Sequence, residues 1–267
     1  MTAPKIQTKS QYGSRFYVHP ETDVSAPGVT SILNMLPKPF LKAWAAKVVA
    51  EAAVDQMPDV LSMVLRGGGR DAAVDHLKRS PERFTSGAAT IGSDAHDLFE
   101  RIAKGEDVKP AFLHPDMRAY ADHFFAFCNE FQPEFVELEE TVWSDTHGYA
   151  GSFDAIMRIN GETVIADWKT TRSGVHEEVA LQLAAYTNAD YILSPDGSQR
   201  PIPKIEGAAV LHVRPEGWGL YPVRIDEDVF ESFLRLIDVF KWERSIKRTV
   251  IGKPINSSAP KRAKGGK

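Results

Sequence analysis

The fold is decided by residues 149–171, YAGSFDAIMRINGETVIADWKTT. Two runs rich in apolar residues flank Asn160-Gly161, the dipeptide best suited to a two-residue hairpin turn in which both central residues need positive φ. That turn sets Ile159 opposite Glu162 and, counted outward, Asp154 opposite Asp167. The same register places Phe153 beside Trp168, Ala155 beside Ala166 and Met157 beside Val164 on one apolar face. Asp154, Ile156, Ile165, Asp167 and Lys169 fall on the other face, with Lys169 opposite Ser152. Directly opposed residues have Cβ atoms about 4.5–5.5 Å apart, so two carboxylates there repel unless something compensates. A hard divalent cation such as Mg²⁺, held by one or two protein carboxylates and water, is the natural compensation. Lys169 would point into the same space, where an ammonium orients a water or steadies developing negative charge. A surface salt bridge also explains Asp167 and Lys169, but it gives no reason for a second carboxylate opposite the first.

Working outward, Pro133 marks a change of character. Before it the chain is mainly helical: a hairpin within 14–33, then "FLKAWAAKVVAEAAVDQM" with Leu41, Trp44, Ala45, Val48, Val49 and Ala52 as an apolar stripe. Further helices run through "DAAVDHLKRS", "GAATIGSDAHDLFERIAKG" and "HPDMRAYADHFFAFCNEF". After Pro133, "EFVELEETVW" and the two strands above are followed by the helix "HEEVALQLAAYTNADYIL". A second hairpin around Glu216-Gly217-Trp218 and a closing helix complete the chain. This order predicts an α/β (α+β) fold with a mixed central sheet flanked by helices. It divides the chain into a helical part over 1–132, a core over 133–250 and a basic tail over 251–267, disordered from about Ile255. No internal repeat is visible.

The 267 residues suffice for one substantial core, and 43% hydrophobic with 25% charged residues is ordinary for a globular protein. No apolar run approaches the ~20 residues of a spanning helix and the N-terminus lacks a signal-peptide centre, so the cytosol is the expected compartment. One cysteine, Cys128, excludes an internal disulfide and a cysteine-ligated iron-sulfur cluster, so any metal must be held by oxygen and nitrogen. A net charge of −4 argues against a generally cationic nucleic-acid binder. The tail has no Asp or Glu after Glu243 and is either a solvated appendage or a weak phosphate binder. "RGGGR" at 66–70 does not match a nucleotide phosphate loop, so no ATP-driven motor is expected.

Gly151 to Asp154, then Asp167-Trp168-Lys169, then Gln182 to Tyr186 resemble, in order, the G-x-x-D, D-x-K and Q-x-x-x-Y motifs of the RecB-like branch of the PD-(D/E)XK nucleases. That branch includes phage exonucleases and CRISPR-associated nucleases. Gly92 and His96 resemble its upstream histidine motif, and the opening "APGVTSILNMLPKPFLKAWAAKVVAEAAV" is similar to phage-borne members. The resemblance covers about Gly92 to Tyr186 and implies a restriction-endonuclease-like core. It makes His96, Asp154 and Asp167 metal ligands with the backbone carbonyl of Trp168, and Lys169 the catalytic lysine. Gln182 and Tyr186, on one helix face, support the site or contact nucleic acid, and Glu139 resembles a recurrent acidic position whose alignment competes with Glu140. Glu100 reads as an exposed partner for Arg101 or Lys104.

The resemblance implies a Mg²⁺- or Mn²⁺-dependent deoxyribonuclease, an exonuclease on linear duplex or single-stranded ends. It further implies a phage or prophage role in recombination beside a separately encoded single-strand annealing protein, without an iron-sulfur cluster. An endonuclease of the same superfamily, a DNA-binding protein on a decayed nuclease fold and a small-molecule metal-dependent hydrolase are the alternatives.

Overall fold

The computed structural model describes residues 4–66 and 68–255. Most of the predicted basic tail, residues 256–267, lies outside the described residues. The chain opens with β1 (Thr8–Gln11), β2 (Ser14–Val18) and β3 (Ser25–Pro27), which form a three-stranded antiparallel ribbon rather than a simple hairpin. Five helices follow: α1 (Val29–Leu33), α2 (Phe40–Asp55), α3 (Met57–Arg66), α4 (Gly69–Lys78) and the long α5 (Ser80–Ala103). After α6 (Pro115–Phe131) come β4 (Glu134–Ser144), β5 (Tyr149–Ile159) and β6 (Glu162–Lys169). Then α7 (Glu178–Thr187), β7 (Tyr191–Leu193), β8 (Gln199–Arg200), β9 (Gly207–Arg214), β10 (Gly217–Pro222) and α8 (Glu227–Arg244) complete the fold.

The main sheet has seven strands in the order β10-β9-β6-β5-β4-β7-β8. Only β6 and β9 run parallel, because α7 and the short strands β7 and β8 carry the chain between them. The result is a mixed α/β fold with helices on both faces of the sheet, the class the element order predicts. On one face α1, α7 and α8 cover Ile156, Ile165 and Val210; on the other, α5 and α6 cover Ala155, Met157, Ala166 and Leu211. Trp168 anchors the second face: Phe99 and Phe124 stack at 4.6 Å, and the indole meets them edge-on at 5.8 and 5.4 Å.

The Asn160-Gly161 turn forms with φ of 52° and 88°, and Ile159 pairs with Glu162. Three expectations need correction. The helix expected to continue to Leu193 stops at Thr187, where the Asn188 side chain donates to the Ala184 carbonyl at 2.9 Å; Tyr191–Leu193 instead pairs with Thr141–Trp143 as an edge strand. The apolar stripe expected on α2 is only half-buried, with Ala52 alone fully inside, and Trp44 rests edge-on against Phe84 of α5 at 5.9 Å. The second hairpin turns at Pro215-Glu216, since Gly217 already pairs with Arg214.

Candidate metal centre

The β5–β6 ladder ends at Ala155↔Ala166, one step before the two aspartates. Beyond that pair β6 stays in register with β9 as far as Lys169↔His212, while β5 stays with β4, where Ser152 pairs with Thr141. The sheet therefore forks at Asp154 and Asp167. The direct opposition expected of this pair is replaced by a side-chain bridge: Asp154 Oδ2 accepts the Trp168 N–H at 2.6 Å, in place of a strand-to-strand bond. For the same reason Lys169 does not face Ser152, whose hydroxyl meets Thr141 Oγ1 at 3.0 Å and Tyr17 Oη at 3.3 Å. Phe153 joins the cluster of Ile156 and Ile165 rather than sitting beside Trp168.

Into this fork α5 brings His96, which is 5% exposed, with its Nδ1 3.5 Å from Asp154 Oδ1. That separation is too long for a hydrogen bond, and the buried Nδ1 has none. From the other side β4 brings Glu139, which follows a bulge between Phe135 and Glu137 and adopts a left-handed φ of 52° within a strand. Such a conformation costs about 1–3 kcal/mol at a residue other than glycine and marks functional sites. His96, Glu139 and Asp154, all buried, each offer one ligand atom within 4.8 Å of the others. The trio differs from the ligand set that the resemblance implies: Glu139, there a supporting residue, takes the place of Asp167.

Asp167 is occupied elsewhere. Its Oδ2 lies 2.6 Å from Lys169 Nζ, and its Oδ1 accepts the Gln182 amide at 2.8 Å. Gln182 also donates to Tyr186 Oη at 3.2 Å, so the two residues expected on one helix face do act together. Tyr186 in turn explains Gly151: a Cβ there would stand 2.5 Å from Tyr186 Cε1 and 3.2 Å from Val29 Cγ2. Gly151→Ala is expected to destabilise the protein by about 1–3 kcal/mol through overpacking. Chemical denaturation reads this directly, and an unchanged midpoint would mean that the Tyr186 ring is free to move aside.

The charges are arranged asymmetrically. Burial pushes the Asp154 carboxyl up, but His96, Lys169 and the Trp168 N–H outweigh it and hold the group below the usual carboxylate range. Asp167 goes the other way: burial, aided by the charge of Asp154, outweighs Lys169 and raises it. His96 is lowered by burial but raised by Asp154, with a net value above the ordinary 6.5. Lys169 is likewise lowered by burial and raised by Asp167 and Asp154, so its ammonium stays charged.

An imidazole nitrogen and two buried carboxylates suit a hard or borderline divalent cation, and without one this concentration of buried charge is expensive. Because His96 must be neutral to ligate, the raised value means that metal binding releases its proton. Mn²⁺ affinity is therefore expected to fall as the pH drops from about 8 to about 6. Calorimetry in buffers of different ionisation enthalpy counts the protons released, and none released at the lower pH would remove His96 from the ligand set.

Two openings flank the centre. A narrow recess of about 10 Å³, room for one water-sized group, is lined by Arg15, Tyr17, Ser152, Glu139 and Asp154. Lys169, whose side chain is 28% exposed, faces a cleft of about 220 Å³ with Asn34, Lys38, His176 and Gln182. A larger cavity, about 690 Å³ between α7 and α8, shares Lys38, His176 and Glu178 with that cleft but holds none of the predicted site residues. Arg15 and Tyr17 are not marked by the sequence, where no spacing links the ribbon to β5, and Ser152 is marked there only as facing Lys169; Glu100 pairs with Lys104 at 2.5 Å, the expected partner, but its side chain is mostly buried rather than exposed.

No family model matches the chain, and no curated protein matches it. Among solved structures, one titled "Crystal structure of SSO0001" is 18% identical over 43% of this chain, with a TM-score of 0.29. The chain spans about half the length of that protein, 52%, and the similarity is too loose to define a shared fold. Among the described residues no helix is long and apolar enough to cross a membrane.

Proposed function

We propose that the protein is a Mg²⁺- or Mn²⁺-dependent deoxyribonuclease that hydrolyses phosphodiester bonds at the ends of linear DNA. The observation that carries this reading is the convergence of His96, Glu139 and Asp154 within 4.8 Å, beside the Asp167–Lys169 pair on the adjoining strand. His96, Glu139 and Asp154 would hold the cation, which when bound supplies Lewis acidity for attack on phosphorus.

The chain's own groups do the rest. Lys169 keeps its proton and presents a fixed positive charge to the solvent-open cleft, where it orients a water and steadies charge accumulating on phosphate oxygens. Asp167 fixes the ammonium, and Gln182 fixes Asp167 from behind. Tyr186 is held protonated by burial, so its hydroxyl is a neutral hydrogen-bonding group. The preference for DNA ends, and a place in phage recombination beside an annealing protein, rest on the motif resemblance.

The test is degradation of end-labelled linear duplex beside covalently closed circular DNA, with Mg²⁺, Mn²⁺ or EDTA. Loss of the linear form alone, only with metal, is the expected result. Cleavage of both forms would make the protein an endonuclease with the same chemistry. DNA binding without cleavage under any condition would overturn the catalytic reading.

A further inference from the structure

The cleft at Lys169 contains a second lysine, and an acid of the chain itself occupies it. Lys38 Nζ lies 3.0 Å from Glu178 Oε1, with the two side chains 26% and 40% exposed. Both residues line the cleft of about 220 Å³, and both also line the cavity of about 690 Å³, so the pair stands where the two spaces meet. A water takes about 30 Å³, so the cleft holds roughly seven, which is room for a phosphate group and part of its sugar.

The surroundings of the pair suit an anion. The link between α1 and α2 sets Lys38 between Pro37 and Pro39, which restrict its backbone on both sides, so a stiff segment delivers the ammonium. The segment between β6 and α7 brings His176, whose Nε2 is 2.8 Å from Ser173 Oγ, to the same two spaces. Glu178 acts on both lysines: it touches Lys38, and Lys169, lowered by burial, is raised by Asp167 and Asp154 and also by Glu178. A carboxylate of the chain therefore already sits in the field of two ammonium groups. An ion pair as open as Lys38–Glu178 adds little to stability, so the fold does not depend on it.

We infer that Glu178 stands in for a substrate phosphate: Lys38 is a second phosphate-binding cation of the cleft, paired with Glu178 until a phosphate of the bound strand displaces the carboxylate. The inference rests on the nuclease reading for the identity of the phosphate, which would neighbour the one at Lys169, but its test does not need cleavage. The arrangement favours a polynucleotide over a single phosphate. A lone anion gains Lys38 only in exchange for the Glu178 contact, whereas a strand already held at Lys169 presents its next phosphate at high effective concentration.

The experiment is fluorescence anisotropy of a labelled DNA duplex in EDTA, at about 50 and 200 mM NaCl, with the full chain and three variants. Lys38→Met is expected to weaken binding about ten-fold at the lower salt and about three-fold at the higher, because losing one phosphate contact lowers the salt slope by roughly 0.9. Glu178→Gln should tighten binding at least three-fold with little change in melting temperature, a gain that misfolding cannot produce. Glu177→Gln removes the same charge one residue away, from a side chain that lines only the larger cavity, and should leave the affinity unchanged. Equal tightening by Glu177→Gln and Glu178→Gln would make the effect one of general charge and overturn the inference. So would DNA binding that responds to neither Lys38→Met nor Glu178→Gln, or no DNA binding by the unaltered chain. Metal-dependent cleavage that persists beside unresponsive variants would leave the nuclease reading standing without the displacement. The expected shifts without cleavage in Mg²⁺ would sink the nuclease reading and leave Lys38 and Glu178 as a phosphate site.

Discussion

Replacing Lys169 by Met is expected to lower metal-dependent DNA cleavage by about 10²–10⁴-fold while leaving Mn²⁺ binding nearly intact. The expectation follows from where the ligand atoms lie, since Lys169 acts on Asp154 only through its charge and not by contact. The trio that would hold the cation comprises His96, Glu139 and Asp154, and Lys169 is bound to Asp167 outside it. Removing the ammonium takes away the fixed charge facing the cleft but none of the trio's ligand atoms. The fold should survive, because burial and Asp154 already raise the Asp167 carboxyl and loss of Lys169 raises it further, which lets the group neutralise itself. Single-turnover cleavage with saturating metal measures the first effect, and Mn²⁺ titration the second. Equal losses of cleavage and Mn²⁺ affinity would show that Lys169 acts through the metal site and not on the reacting phosphate.

The two aspartates should part company when each is made Asn in the metal-free protein. Asp154 has a lowered value in the folded state, so its ionisation stabilises the fold above the unfolded carboxylate range and that contribution is lost as the pH falls. Asp154→Asn removes it at pH 7, weakening the interactions with His96 and the Trp168 N–H, and should destabilise by about 1–3 kcal/mol. Asp167 has a raised value, so its ionisation opposes folding at pH 7. Asp167→Asn removes that cost, but its single acceptor oxygen replaces only one of the two that Lys169 and Gln182 use, so the melting temperature should change less than in Asp154→Asn. Asp154→Asn should also lose at least 100-fold in Mn²⁺ affinity, whereas Asp167→Asn should lose much less. Thermal melts in EDTA and in Mn²⁺ at pH 7 and pH 5 separate these effects. Identical behaviour of the two variants would mean that the aspartates share the cation symmetrically, contrary to the geometry.

Much of this site was legible locally. Asn160-Gly161 fixes the β5–β6 register through backbone sterics, and the alternation of apolar residues on either side agrees with it, so the sequence alone determined a hairpin bearing Asp154, Asp167 and Lys169. Helical spacing likewise put Gln182 and Tyr186 on one face. What periodicity cannot express is where a ladder ends. The fork after Ala155↔Ala166 depends on competition for β6 between β5 and its parallel partner β9, more than 40 residues further along the chain. That competition breaks the expected opposition of Asp154 to Asp167 and lets a side chain accept the Trp168 N–H instead. Glu139 enters the centre through a bulge and a left-handed residue in β4, which the string "FVELEETVW" does not betray and which left it indistinguishable from Glu140. Tyr17, Ser152 and Arg15 meet only because the N-terminal ribbon docks on β5 across more than 130 residues of chain. The sequence by itself determined the mixed α/β class, the turn and the identity of the charged groups. Only the tertiary structure decided which carboxylate joins His96 and which holds Lys169, because that choice belongs to neighbours distant in sequence whose approach no local pattern encodes.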